Sequence, residues 1–203
     1  LGLSVERADD IFSNGAIVVD IWKAIINSFV VVADCTGGTI QNSTGPGIIL
    51  TETSNVSLTR IRVINGGNDG VQGTNVTGFS LISSYFDNNG NANNENGLDF
   101  GDSSSLTPDG LHGTGFITNS AILNSYYNGV SIRNIGGTAL TSFNVSGSQF
   151  RSLPANGDSN DNVFMEAGGT AAMAISVSGS HFSSIEGDHF QAAASNSGGL
   201  TVN

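Results

Sequence analysis

The chain has 203 residues, of which 38% are apolar and only 11% are charged, against roughly 25% charged residues in an ordinary soluble domain. Its net charge of −11, with six basic residues, argues against binding to a nucleic-acid backbone or to an anionic membrane surface. The single cysteine, Cys35, excludes a disulfide within this sequence, and no apolar run is long enough for a membrane-spanning helix, so we expect no membrane insertion.

Residues 1–39 do not follow the pattern of the rest of the chain. They contain two β-prone runs, 16–22 and 29–33, whose apolar side chains include Ile17, Val19, Ile21, Val30 and Val32. Because exposed strand edges invite association, we interpret this region as a cap on the following repeats or as an arm exchanged with a neighbouring subunit. The chain opens with Leu1 in place of Met, which favours a processed product or a fragment.

From residue 40 to residue 203 one sequence motif recurs. A small residue, usually Gly, opens a short apolar strand, and a second strand and a turn rich in Asn, Asp and Gly follow it. The openings are Gly47, Gly70, Gly97, Gly129, Asn162 and His189, which lie 23, 27, 32, 33 and 27 residues apart. Self-similarity at such spacing is typical of a solenoid, because one unit can bury its apolar face only against a stacked neighbour.

The second strand of each repeat aligns without gaps, with apolar or small residues at offsets 0, 2, 5 and 7. The copies begin at Val56, Phe79, Phe116, Phe143 and Ile175. Side chains alternate along a strand, so the step of three between offsets 2 and 5 requires a bend that resets the inward face. The alignment predicts an internal ladder of Val63, Phe86, Leu123, Phe150 and Phe182, and a small-residue ladder that includes Ser148 and Ser180.

Each repeat therefore supplies three short strands, which is one rung of a parallel β-helix. The segments NVSLTRIRVINGGNDGVQGTNVTGFSLISSYFDNNG (55–90) and AISVSGSHFSSIEGDHFQA (174–192) resemble the right-handed parallel β-helix repeats of the pectin-lyase-like superfamily. More narrowly, they are similar to large repetitive bacterial proteins that are secreted or displayed on the cell surface. The resemblance covers about residues 40–203 and implies five or six rungs and an extracellular or cell-surface location.

That superfamily includes polysaccharide lyases, glycoside hydrolases, phage tailspikes, adhesins and passenger domains without catalysis. Function must therefore be argued from sites and not from the fold. A glycosidase needs paired carboxylates, and the candidates are Asp99, Asp102 and Asp109, with Asp99 facing outward from a strand. Acids are also common turn formers, which is the competing interpretation.

Other chemistry has weaker support in the sequence. A lyase needs a basic residue, and the only lysine, Lys23, lies outside the repeats. Oxygen ligands at Asp158, Asn160 and Asn162 suit Ca²⁺, but the run lacks the bidentate Glu and the central Gly of a complete calcium loop. We therefore expect no cofactor, with Ca²⁺ as the one candidate.

These patterns predict a non-catalytic, extracellular structural or adhesive β-helix that self-associates end to end into a filament or multimer. The last strand, with Leu200 and Val202, ends without a polar cap and is expected to contribute to self-association together with the N-terminal runs. Two alternatives remain open. One is a carbohydrate-active β-helix, either a polysaccharide lyase or a tailspike-like glycosidase, and the other is a glycan-binding domain without turnover that contacts a polysaccharide or a cell-surface glycan.

Overall fold

A computed structural model describes residues 36–101, 109–137, 139–152, 160–183, 185–196 and 198–203. These residues form 18 β-strands, and among them no helix has the length and hydropathy needed to cross a membrane. The N-terminal runs with Ile17, Val19, Ile21, Val30 and Val32 lie outside the described residues. The first strand, β1 (Gly38–Gln41), begins two residues before the start expected for the repeats.

The strands form three parallel sheets of six strands, and the chain visits the sheets in a fixed order. Sheet A contains β1, β4 (Ile61–Ile64), β7 (Tyr85–Asp87), β10 (Ala121–Leu123), β13 (Gln149–Arg151) and β16 (His181–Ser183). Sheet B contains β2 (Ile48–Thr51), β5 (Val71–Thr74), β8 (Leu98–Phe100), β11 (Val130–Ile135), β14 (Val163–Gly168) and β17 (Gln191–Ala194). Sheet C contains β3 (Ser54–Thr59), β6 (Val76–Ile82), β9 (Leu111–Thr118), β12 (Ala139–Ser146), β15 (Ala172–Ser178) and β18 (Gly199–Val202). The predicted right-handed parallel β-helix is confirmed, with six rungs of three strands.

Sheet B keeps the register predicted from the Gly-led strands. Its successive inward partners are Ile48, Val71, Leu98, Val130 and Val163. The glycines that open these strands satisfy a steric requirement of the corner. A Cβ on Gly70 would lie 2.5 Å from the carbonyl oxygen of Gly97, and a Cβ on Gly97 would lie 2.5 Å from that of Gly129. The recurring small residue is thus explained by the close approach of stacked backbones.

A single residue with positive φ turns the chain from sheet C into sheet A on five rungs. Arg60, Ser83, Asn119, Gly147 and Gly179 occupy this corner, with φ between 48° and 55°. One extra residue between two strands reverses which face points inward. The corner accounts for the three-residue step between the inward positions of the two strands.

A hydrogen-bonded serine ladder follows this corner. The N–H of Ser84 donates to the hydroxyl of Ser120 at 3.1 Å, and the same bond links Ser120 to Ser148 and Ser148 to Ser180 at 3.2 Å. Each hydroxyl donates to the carbonyl oxygen two residues before it, at 2.8 to 3.1 Å. The small-residue ladder predicted from Ser148 and Ser180 is confirmed, and it extends over four rungs.

The predicted alignment of the third repeat is wrong by one residue. Gly115, and not Phe116, pairs with both Phe79 and Phe143 in sheet C. A Cβ on Gly115 would lie 2.7 Å from Cδ2 of Phe143, so the Phe143 ring fills the space that an inward side chain would need. Phe116 points outward instead and is 38% exposed.

The internal ladder of sheet A shifts with that register. Ile122, and not the predicted Leu123, pairs with Phe86 and Phe150. The ladder is therefore Val63, Phe86, Ile122, Phe150 and Phe182. The rings of Phe150 and Phe182 stack with centroids 4.9 Å apart and planes 10° from parallel. Like residues on neighbouring rungs thus pack on one another along the core.

Candidate functional site

A second polar ladder, which we call the Asx ladder, runs along the corner that leads into sheet B. Its members directly precede the strand-opening positions and are Asp69, Asn96, Asn128, Asp161 and Asp188. A side-chain Oδ1 of each of the first four accepts the backbone N–H of the next member, at 2.6, 2.9, 3.0 and 2.8 Å. Those four residues are buried. The ladder satisfies backbone donors at a corner that the strands do not reach.

Two acids of the Asx ladder have raised pKa values. Burial raises the pKa of Asp69 to about 6, the N–H of Asn96 opposes the shift, and the charge of Glu95 adds to it. Burial also raises the pKa of Asp161, against the N–H of Asp188 and together with the charge of Asp188. Both carboxyls accept hydrogen bonds from the next rung, so their role is to stabilise the stack of rungs.

Asp99 lies beside this ladder, on the outer face of β8. Its partners in the sheet are Gln72 on one side and Ser131 on the other. The side-chain amide of Asn96 donates to Asp99 Oδ1 at 3.0 Å. One ladder residue therefore holds the Asp99 carboxyl in place while its own Oδ1 continues the ladder.

The surroundings of Asp99 favour its protonated form. Burial is the largest cause and, with the charge of Asp69, raises the pKa of Asp99 to about 7. Ser131 and Arg133 oppose the shift, and Asp109 adds to it. A carboxyl that holds a proton near neutral pH can donate it to a bound oxygen, as a general acid does.

Ser131 and Arg133 lie two residues apart on the outer face of β11. Arg133 Cζ is 4.9 Å from the centroid of the Phe164 ring, and its Nε is 3.7 Å from Glu166 Oε2. Among the described residues, the buried atoms Ser131 Oγ and Arg133 Nε have no hydrogen-bond partner, although Ser131 is close enough to Asp99 to favour the ionised carboxylate. We call Asp99, Ser131, Arg133, Phe164 and Glu166 the sheet B face. It combines a carboxyl, a hydroxyl, a guanidinium and an aromatic ring, which are groups that can hold a sugar.

The structure brings together two of the three acids predicted as catalytic. Asp109 lies close enough to Asp99 to influence its pKa, whereas Asp102 lies outside the described residues. Asp109 is buried, and its Oδ1 accepts the N–H of Gly110 at 2.6 Å. One oxygen of the Asp109 carboxylate therefore already accepts a hydrogen bond within the local turn.

The predicted calcium ligands are not seen as a set. Asp158 lies outside the described residues, and the Asn160 amide donates to Asn128 Oδ1 at 3.2 Å. Asn162 is buried, with its Nδ2 3.0 Å from Nδ1 of His189. Within the described part of the chain, no group of three or more His, Cys, Asp or Glu side chains is arranged to hold a metal ion. The calcium site stays a prediction.

The sequence carried a signal for the Asx ladder that the repeat alignment did not use. From the second repeat onward, an Asp or Asn stands directly before each strand-opening position, as in Asp69-Gly70 and Asn128-Gly129. By contrast, the contacts of Asp99 with Arg133 and Ser131 join residues more than 30 positions apart. No local sequence pattern indicates these contacts.

Comparison with known proteins adds no relative. No family model, no curated protein and no solved structure matches this chain.

Proposed function

We propose that this chain is a non-catalytic structural or adhesive β-helix module, secreted or displayed on a cell surface, that self-associates end to end. The observation that carries the proposal is the exposure of the terminal rungs. Their inward apolar side chains are only partly buried, unlike those of the inner rungs: Ile40, Ile48, Leu50, Val56, Leu58 and Ile61 at one end, and Val177, Phe182, Phe190 and Leu200 at the other. A further rung supplied by a second copy would bury this apolar area.

The outer edge of β18, which no other described strand pairs with, supports the same proposal. Gly199 and Asn203 donate their N–H groups back to β15, to the carbonyl oxygens of Ala171 at 2.9 Å and Ile175 at 2.8 Å. Because N–H directions alternate along a parallel strand, those of Leu200 and Val202 face the free edge. Val202 is also 50% exposed. Unpaired donors beside an exposed apolar side chain are a template for an added strand.

The use of the recurring acids favours a structural role as well. Asp69 and Asp161 are buried in the Asx ladder and accept N–H groups from the next rung. What recurs from rung to rung therefore stabilises the stack.

Electron microscopy of the purified chain tests the proposal. Filaments or long multimers are expected, and their frequency should rise with protein concentration. A monodisperse monomer at every concentration would overturn end-to-end association.

A carbohydrate-active function is the second candidate, in line with the resemblance to the pectin-lyase-like superfamily. Its specific support is Asp99, whose pKa is raised to about 7 beside Arg133, itself 4.9 Å from the Phe164 ring. A protonated carboxyl could serve as general acid for glycoside cleavage, and Arg133 could bind an acidic sugar.

Incubation with polygalacturonate and with neutral polysaccharides tests this second candidate. Released reducing ends and unsaturated uronides would be measured for the native chain and for Asp99→Asn. Product that disappears in the variant supports the carbohydrate-active function. Absence of product, or product that is equal in both proteins, rejects it.

A further inference from the structure

The outer face of sheet C is free of charge in a strongly acidic protein. The six strands of this sheet contain no Asp, Glu, Lys or Arg. One outward column runs across it, made of Ser57, Ser80, Phe116, Asn144 and Ser176. With a net charge of −11, the chain carries its charges elsewhere. The column therefore presents hydroxyl and amide groups on both sides of one aromatic ring.

Phe116 is the exception among the phenylalanines of sheet C. Phe79 and Phe143 point inward and are buried, whereas Phe116 points outward from the middle of the column and is 38% exposed. An aromatic ring on an otherwise polar face leaves apolar area in contact with water. A ligand that covers the ring would remove that area from water.

A depression lies beside the ring, where the backbone of the sheet is irregular. Asn55, Gly78 and Gly113 have positive φ, at 56°, 77° and 70°, and the register between β6 and β9 shifts next to Gly78. The depression has a volume of about 200 Å³ and is lined by Asn55, Val56, Gly78, Phe79, Ser80, Thr114 and Phe116. It is smaller than a site for a drug-sized ligand and suits one ring.

We propose that this depression binds an uncharged saccharide, with one sugar ring stacked on Phe116. The apolar C–H face of a sugar can cover the aromatic ring, and the Asn55 amide with the Ser80 and Thr114 hydroxyls can pair with sugar hydroxyls. No charged side chain from the strands of sheet C is available to pair with a uronate, so neutral sugars are preferred here. The site lies on a different sheet from the sheet B face. Its lining includes Asn55 and Val56 of the first rung, but Phe116 lies on β9 in the third rung, so Phe116→Ala tests the site separately from both proposed functions.

Affinity electrophoresis tests the site, with native gels that contain dextran, mannan, xyloglucan or hydroxyethylcellulose, and polygalacturonate as the charged comparison. At least one neutral polymer is expected to retard the native chain. Phe116→Ala should weaken that binding by about fivefold or more, which corresponds to about 1 kcal/mol. Phe116→Tyr should keep it, and so should Ile49→Ala, which removes an apolar side chain that is 62% exposed on sheet B.

The proposal is overturned if no neutral polymer retards the chain, or if Phe116→Ala binds as the native chain does. Retardation by polygalacturonate alone, lost in Asp99→Asn, would assign binding to the sheet B face and would also overturn it. Because Phe116 points outward, its truncation should leave the circular dichroism spectrum and melting temperature unchanged. Thr114→Arg, at an exposed position that lines the depression, is a second variant that must also weaken binding.

Discussion

The backbone N–H of Ser120 donates to the hydroxyl of Ser148 on the next rung at 3.2 Å, and that hydroxyl donates to the carbonyl oxygen of Ser146 at 2.9 Å. The bond lies just after the left-handed corner residue, where a change of strand direction interrupts the regular sheet pairing. The Ser148 side chain thus gives the buried N–H of Ser120 its acceptor, whereas the carbonyl oxygen of Ser146 also accepts the N–H of Asn119 at 3.0 Å. The serine ladder supplements the strand hydrogen bonds in holding the rungs in register.

Ser148→Ala is expected to destabilise the protein by about 1–3 kcal/mol, because it leaves the buried N–H of Ser120 without an acceptor. Urea unfolding followed by circular dichroism measures the change. Ser57→Ala is the matched control, since Ser57 is exposed on the outer face of sheet C, and its effect should stay within about 0.5 kcal/mol. Equal effects of the two substitutions would contradict a stabilising role for the ladder.

The corrected register predicts opposite outcomes for two phenylalanines of sheet C. Phe143→Ala should cost about 3–5 kcal/mol, because Phe143 is fully buried. Phe116→Ala should cost less than about 1 kcal/mol, because its ring points outward. Gly115→Val should destabilise by about 1–3 kcal/mol or more, because its side chain would collide with the Phe143 ring. If Phe116→Ala costs as much as Phe143→Ala, Phe116 faces the core and the register is wrong.

The raised pKa values predict that the protein becomes more stable as the solution is acidified from pH 8 towards pH 4. In the folded state the pKa of Asp69 is about 6 and that of Asp99 about 7, both above the value of roughly 3.9 for an unfolded Asp. The folded protein therefore binds these protons more tightly, and its stability rises as pH falls through 7 and 6. Below about pH 4 both states are protonated, and the gain levels off. Urea unfolding between pH 4 and pH 8 measures the change in the free energy of unfolding.

The substitution Asp69→Asn separates the contribution of Asp69 to the pH dependence of stability from that of the other acids. Asn occupies the same ladder position at Asn96 and Asn128, so the amide oxygen can still accept the N–H of the next rung. The substitution should stabilise the protein by about 2 kcal/mol at pH 8 and have little effect near pH 4. Asn128→Asp is the reverse control and should destabilise at pH 8. A native protein that loses stability between pH 8 and pH 5 would contradict the assignment.

The rung and most of its register could be predicted from the sequence because the repeats are defined by local patterns. Small residues before the strands of sheet B and alternating apolar residues within them fix the inward face. The error at Phe116 arose where a side chain on another rung decides the register. Gly115 gives no sign in its own repeat that the Phe143 ring fills its inward space. Phe116, which matches the Phe of the neighbouring repeats, is therefore the inward residue that the sequence pattern predicts.

The candidate site was less predictable than the fold. That Asp99 faces outward follows from strand alternation, and the structure agrees. Its raised pKa depends on burial and on the charges of Asp69 and Asp109, which stacking brings together from other rungs. The Arg133 contact with Phe164 likewise joins neighbouring strands of sheet B. Such contacts depend on turn lengths that differ from repeat to repeat.

End-to-end association is the central claim, and sedimentation velocity of the native chain and of Val202→Pro over a dilution series tests it most directly. The proline removes an N–H that faces the free edge of β18 and leaves the donors from Gly199 and Asn203 to β15 in place. The native chain is expected to form large species that dissociate on dilution, while Val202→Pro remains monomeric with nearly unchanged stability. Val202→Ala, which keeps the N–H, should still associate. A native chain that sediments as a monomer at every concentration, or a proline variant that assembles as the native chain does, would contradict the account.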